Sequence, residues 1–213
     1  MPAWGGHQIE DNKFEISAVF LEIETDNGVV GRAGPTTEAV AYIIASQLQP
    51  ILLGKDPLAT ELLWDQMHRE LVHGRQGEAM WAVSIVDCAL WDLKGRVFDV
   101  PVYKLIGGPT RNQVPLYASM LGYSVEDPGL VKERAREAQR EGYQAQKWFF
   151  RYGPMSGPEG LRRNVELVKT LRETLGEDDA IMLDCWQSMD VPYVLALAER
   201  IAEYQPFWLE ECV

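Results

Sequence analysis

The sequence predicts an α/β protein in two parts. Three observations carry that reading: an alternating strand pattern closed by turn residues near the start, apolar helical faces after it, and a strand–helix alternation from Val114 to the end. In Val19-Phe20-Leu21-Glu22-Ile23-Glu24 the apolar positions 19, 21 and 23 alternate with acidic ones, and Phe20 alone breaks the pattern. Asp26-Asn27-Gly28 tolerates positive φ and Val29-Val30 starts a return strand, so Ser17 to Ala33 reads as a hairpin. Three helical stretches follow. Thr37 to Leu48 is apolar on one side. Asp56 as N-cap with Pro57 at the first helical position opens the next, which runs to about His73. Glu78 to Val97 carries Met80, Val83, Ile85, Val86, Ala89, Leu90 and Leu93 on a wide face suited to burial.

From Val114 to Ala118 the chain reads as a strand, then Asp127 to Arg140 as a charged amphipathic helix. Strands at Ala145–Phe150, Ala180–Asp184 and Phe207–Glu210 alternate with helices at Glu159–Leu175 and Val191–Tyr204. The strand starts lie about 31, 35 and 27 residues apart, the size of a βα unit. Such alternation means a parallel sheet, either covered on both faces or closed into a barrel. The expected division is residues 1–112 and 113–213.

Composition narrows the function classes. The 213 residues are 46% hydrophobic, with 20 Lys+Arg against 32 Asp+Glu and a net charge of −12. No basic stripe is present to neutralise phosphates, which argues against nucleic acid. No apolar run reaches bilayer length, so no membrane partner is expected. Met1-Pro2-Ala3-Trp4-Gly5-Gly6 lacks the basic-then-apolar layout of a secretory signal. Cys88, Cys185 and Cys212 lie in apolar segments and read as reduced core thiols, in keeping with a cytoplasmic location.

The chemistry is expected at the carboxyl ends of the strands, where parallel sheets bind ligands. Three successive strands place an ionisable group near that edge: Lys147, Asp184 and Glu210. Neighbouring strands lie about 4.8 Å apart, so the three can converge. Asp184 and Glu210 then form a pair of hard oxygen ligands for a divalent cation, with Lys147 beside an anionic substrate oxygen. The competing reading is a plain ion pair between Lys147 and either carboxylate, or carboxylates that merely cap helices. His7, His68 and His73 have no metal-ligand spacing. Neither a phosphate-binding glycine fingerprint nor a nucleophile elbow is present.

Two stretches resemble a known family. Ala82-Val83-Ser84-Ile85-Val86-Asp87-Cys88-Ala89-Leu90-Trp91-Asp92-Leu93-Lys94-Gly95, with Val100-Pro101-Val102-Tyr103-Lys104-Leu105-Ile106-Gly107-Gly108 after it, is similar to the enolase superfamily, mandelate-racemase branch. Met182-Leu183-Asp184-Cys185-Trp186 and Trp208-Leu209-Glu210-Glu211-Cys212 resemble its rhamnonate-dehydratase-like acid-sugar dehydratases. The resemblance implies an α+β capping domain (1–112, its first strand missing) followed by the first half of a (β/α)8 TIM-type barrel (113–213). It implies Mg2+ as cofactor, with Asp184 and Glu210 as the first two of three carboxylate ligands. Lys147 matches the first lysine of a Lys-x-Lys pair and is the catalytic and substrate-binding residue. Phe149 stands at the second lysine, a departure that argues against racemisation. Arg151 and His7 are further substrate-binding candidates, His7 through a mobile capping loop. The implied reaction removes a proton beside a carboxylate and expels the β-hydroxyl, giving a 2-keto-3-deoxy acid. An acid-sugar substrate and a homo-oligomer of the complete enzyme go with it. The third ligand and a His–Asp base are expected beyond Val213, so the chain reads as an N-terminal fragment without activity of its own. A racemase or cycloisomerase, or a non-catalytic remnant, are the alternatives.

Overall fold

A computed structural model describes residues 18–213 and, as backbone only, the strands β1 (His7–Glu10) and β2 (Lys13–Glu15). The chain divides into two compact units, Met1–Asn112 and Gln113–Val213.

In the first unit, β1 and β2 pair antiparallel, as do β3 (Val19–Glu24) and β4 (Val30–Thr36). The turn between β3 and β4 places Gly28 at φ 81°. Residues alternate along β3 between half-buried and exposed, and Phe20 faces outward with its neighbours Glu22 and Glu24. The helices are α1 (Glu38–Ile43), a π-helical turn (Ile44–Leu48), α2 (Gln49–Leu52), α3 (Thr60–Glu70), α4 (Gly77–Val97) and the short α5 (Val102–Leu105). Their apolar faces meet in a core of Val40, Leu48, Leu63, Met67, Val83 and Val86 among others.

Two expectations in this unit are corrected. Asp56 does not cap α3: its Oδ1 accepts from the Leu58 amide at 2.9 Å, closing a local turn, and the helix starts four residues later. An Asp side chain satisfied two residues on favours a turn over a cap. Cys88 is not a core thiol but is exposed on α4. It lies one and two helical turns from exposed Ser84 and Trp81, outside the buried stripe.

The second unit is a parallel sheet in the order β5 (Ala118–Ser119), β6 (Ala145–Phe149), β7 (Ala180–Asp184), β8 (Trp208–Glu210). Helices α6 (Pro128–Arg140), α7 (Gly157–Leu175) and α8 (Val191–Ile201) connect them. Asp127 caps α6 through the Gly129 amide at 2.7 Å, and Asp190 caps α8 through the Tyr193 amide at 2.8 Å. The expected first strand shrinks to two residues. Val114 and Leu116 are exposed, and pairing with β6 starts only at Ala118.

Period-two alternation sorts the sheet into two faces. Gln146, Trp148, Ile181 and Leu183 are fully buried, and the three apolar ones join Val168, Leu171 and Leu197 in one core with the helices. Lys147, Phe149, Met182, Asp184, Trp208 and Glu210 alternate with them and share the opposite face. This architecture is the α/β layout expected, with three consecutive βα units and a fourth parallel strand of a partial barrel. No described helix is long and apolar enough to cross a membrane.

Candidate metal centre

The strand register assembles the site. Lys147 pairs with Met182, one same-face step of two residues below the Phe149–Asp184 pair, and Asp184 pairs with Glu210. A lysine stem spans that one step, and its ammonium reaches both carboxylates: Nζ lies 3.1 Å from Asp184 Oδ2 and 2.9 Å from Glu210 Oε1. The Lys147 and Asp184 side chains are 9% and 4% exposed, whereas Glu210 keeps 33%. The three expected residues are thus brought together, in the ion-paired arrangement weighed above.

Burial alone would lower the lysine's pKa. The hydrogen bonds that Lys147 donates to Glu210 and Asp184, with their charges, outweigh it and hold Lys147 well above its ordinary value. It is therefore a permanent cation at neutral pH.

Backbone geometry at the strand exits fixes the carboxylates. Asp184 Oδ1 accepts from the Trp186 amide at 2.9 Å, which anchors its second oxygen. Trp186 and Gln187 adopt φ of 53° and 49°, and Glu211, just after Glu210, adopts 48°. Non-glycine residues rarely take this left-handed conformation, and such strain clusters at functional sites. The exits of β7 and β8 stay zipped together: the Cys185 amide donates to Glu210 O at 2.9 Å and the Gln187 amide to Glu211 O at 2.6 Å. Glu211 itself is exposed.

Sequence reasoning missed the aromatic side of the site. The Lys147 ammonium lies 5.8 Å from the centre of the Tyr117 ring, which meets Trp208 edge-on at 6.2 Å. The Trp208 indole nitrogen is buried with no hydrogen-bond partner among the described residues. The signal was available: Tyr117 and Trp208 share the alternation phase of Lys147 and Glu210. Arg151 is not drawn to the triad. Its guanidinium lies 3.8 Å from Glu126, and both side chains are largely exposed. The expected contact of His7 falls outside the described side chains.

The donor chemistry suits a hard divalent cation. Asp184 and Glu210 offer anionic oxygens from rigid strands, and Mg2+ commonly takes one or two protein carboxylates and completes its shell from water and substrate. Among the described residues no group of three or more His, Cys, Asp or Glu side chains is placed to hold a metal.

Comparisons with known proteins bear on this arrangement. Residues 11–107 match the family described as mandelate racemase / muconate lactonizing enzyme, N-terminal domain, and residues 130–213 match the enolase C-terminal domain-like family. An L-rhamnonate dehydratase from Saccharopolyspora erythraea is 37% identical over 201 residues, covering 93% of this chain and 48% of that protein. The crystal structure of rhamnonate dehydratase from Gibberella zeae complexed with Mg is similar with a TM-score of 0.79 at 35% identity, over 91% of this chain and 45% of that one. A racemase from Streptomyces coelicolor with bound magnesium gives 0.81 at 31% identity, over 91% and 54%. The chain spans about half the length of the curated relatives it matches.

Proposed function

Because the chain belongs to the mandelate racemase / muconate lactonizing enzyme family of the enolase superfamily, we propose that the whole protein is a Mg2+-dependent acid-sugar dehydratase, a carbon–oxygen lyase. The observation that carries this is the convergence of Lys147 Nζ on Asp184 and Glu210 at 3.1 and 2.9 Å on the face of the sheet away from the helices. Asp184 and Glu210 would hold the ion, whose charge, when present, stabilises the enolate formed next to the substrate carboxylate. Removal of the α-proton and departure of the β-hydroxyl as water leave an enol that tautomerises to a 2-keto-3-deoxy acid.

The chain's own residues divide that work. Lys147 is placed to bind and polarise an anionic substrate oxygen beside the two carboxylates. Phe149, in register with Asp184, has no ionisable group. A strand without a second lysine offers no base on this side, which favours dehydration over two-base racemisation. Arg151, exposed at the exit of β6, is available to a substrate hydroxyl or carboxylate once Glu126 releases it. His7 is proposed as a specificity contact. A small acid sugar, with no nucleic acid or membrane partner, is the proposed ligand, in a cytoplasmic homo-oligomer.

The test is an assay of the whole protein with a panel of aldonates, L-rhamnonate included, and Mg2+. Formation of a 2-keto-3-deoxy acid that stops on chelation is the expected result. Exchange of the α-proton for deuterium without dehydration would instead assign a racemase or cycloisomerase. The 213-residue chain by itself is proposed to be without turnover.

A further inference from the structure

Two carboxylates on adjoining strands repel each other, and Asp184 is almost fully buried. Unpaired, such a buried charge is costly and would open the strand ends. One ammonium meets both: Lys147 Nζ touches Asp184 Oδ2 at 3.1 Å and Glu210 Oε1 at 2.9 Å, and Glu210 closes the set from the more open side. A magnesium ion draws its oxygens in to about 2.1 Å. Both cations are drawn to the same two carboxylates, so their charges compete at this gap. The Tyr117 ring, 5.8 Å from the ammonium, is a second feature on this face that favours a cation.

We propose that Lys147 is the built-in counter-ion of the metal-free centre: its ammonium stands between Asp184 and Glu210 in place of the divalent cation, keeps the two carboxylates apposed, and yields its position when the cation binds. This rests on the metal-centre reading above and adds to it. The same side chain that preserves the empty site also weakens its hold on the metal. Displaced from the carboxylates, it becomes available to an anionic substrate oxygen, so metal binding and substrate binding are coupled through one lysine.

The experiment compares the whole protein with its Lys147→Met variant by thermal melting in chelator and by calorimetric titration with MgCl2. The variant is expected to melt lower without metal, to bind Mg2+ at least about tenfold more tightly because one nearby positive charge is gone, and to gain more from Mg2+ in melting than the wild type does. Unchanged metal-free melting, or Mg2+ affinity equal to or below wild type, overturns the proposal. If Lys147→Met fails to fold, Lys147→Met/Asp184→Asn decides. Recovery of folding supports the charge argument, and continued failure means that the lysine's packing is what matters and overturns it. Failure of the underlying reading looks different: neither wild type nor Lys147→Met then binds Mg2+, which refutes the metal centre and this proposal with it.

Discussion

Asp184 and Glu210 are in-register neighbours on adjacent parallel strands that share one ammonium, yet only Asp184 is sealed from water. Asp184 also accepts the Trp186 amide, whereas among the described residues Glu210 shows no second side-chain bond of this kind. The two should therefore separate in stability while behaving alike toward metal. Asp184→Ala leaves a buried ammonium half-paired and an amide without its acceptor, and is expected to cost about 3 kcal/mol. Glu210→Ala, at a partly solvated position, should cost about 1 kcal/mol or less. Urea denaturation of the metal-free chain measures both, and equal losses would contradict the role given to burial. Either change should abolish Mg2+ binding.

A second buried polar group lies on the helix-covered face. Gln146 is fully buried, donates to Ala135 O at 2.8 Å and accepts from Trp148 Nε1 at 3.1 Å. It links β6 to α6 and satisfies a buried indole at once. Gln146→Leu keeps most of the volume but orphans that indole N–H, so a loss of about 2 kcal/mol is expected. Urea denaturation reads it out, and a neutral or stabilising result would mean that water or a rotated Trp148 replaces the amide.

Much of this architecture was legible in residue order. The strands β6 and β7 declared themselves as short strand-like segments between helices, and their last ionisable residues are the ones that meet Glu210. What misled was local competition. Asp56-Pro57 has the letters of a helix start, but the Asp56 carboxylate is consumed by the Leu58 amide two residues on. Val114-Pro115-Leu116 has strand-like composition, yet the ladder starts at Ala118 because a strand extends only where its neighbour offers partners. Gln146 could not have been singled out, since a glutamine inside a strand is ordinary until its donors and acceptors are placed. The aromatic pair Tyr117–Trp208 could have been found, by asking which residues share the alternation phase of the charged triad.

The three thiols should report their surroundings by reactivity. Cys88 is exposed and Cys185 is buried, with the Cys212 sulfur 3.6 Å away. Burial pushes the Cys185 thiol up, reinforced by its bond with Cys212, so it stays protonated and inert in the folded state. Titration with an aromatic disulfide reagent should show one fast thiol that Cys88→Ser removes, with Cys185 appearing only on unfolding. Rapid labelling of Cys185 in the native chain would contradict the packing of the β7 exit.

Acid should weaken the first unit through Asp92. Its Oδ2 accepts from the Arg32 amide at 2.8 Å and from Arg96 Nε at 2.8 Å, tying α4 to β4. Burial alone would raise this carboxyl, but the Arg96 and Arg32 bonds and charges prevail and hold it below the ordinary 3.8. A depressed folded-state pKa means that the unfolded chain takes up the proton first. The link is then fully stabilising above the ordinary value and is lost as pH falls below it toward the folded one. Melting temperature followed into that acid range should fall, and Asp92→Asn should flatten the slope there. An unchanged slope would mean that other carboxylates govern acid unfolding.

Glycine at position 31 is required by approach, not by backbone conformation. It sits on β4 against α4, where an added Cβ would lie 2.2 Å from Ala89 O, 2.5 Å from Leu93 Cβ and 2.9 Å from Leu93 N. Two of those three atoms belong to the helix backbone and cannot swing aside. Gly31→Ala must therefore push α4 off the hairpin, which strains the Arg32–Asp92 link and opens the core beside Leu90. The expected loss is about 3 kcal/mol or more, at the upper end of what overpacking costs when flexible side chains can give way. Denaturant unfolding of the variant checks it. Gly28→Ala in the same hairpin separates the two causes: its Cβ would meet nothing within 4 Å. Only its positive φ is strained there, so about 1 kcal/mol is expected. If Gly31→Ala were the milder of the two, close helix–strand contact would not be what selects glycine at that position.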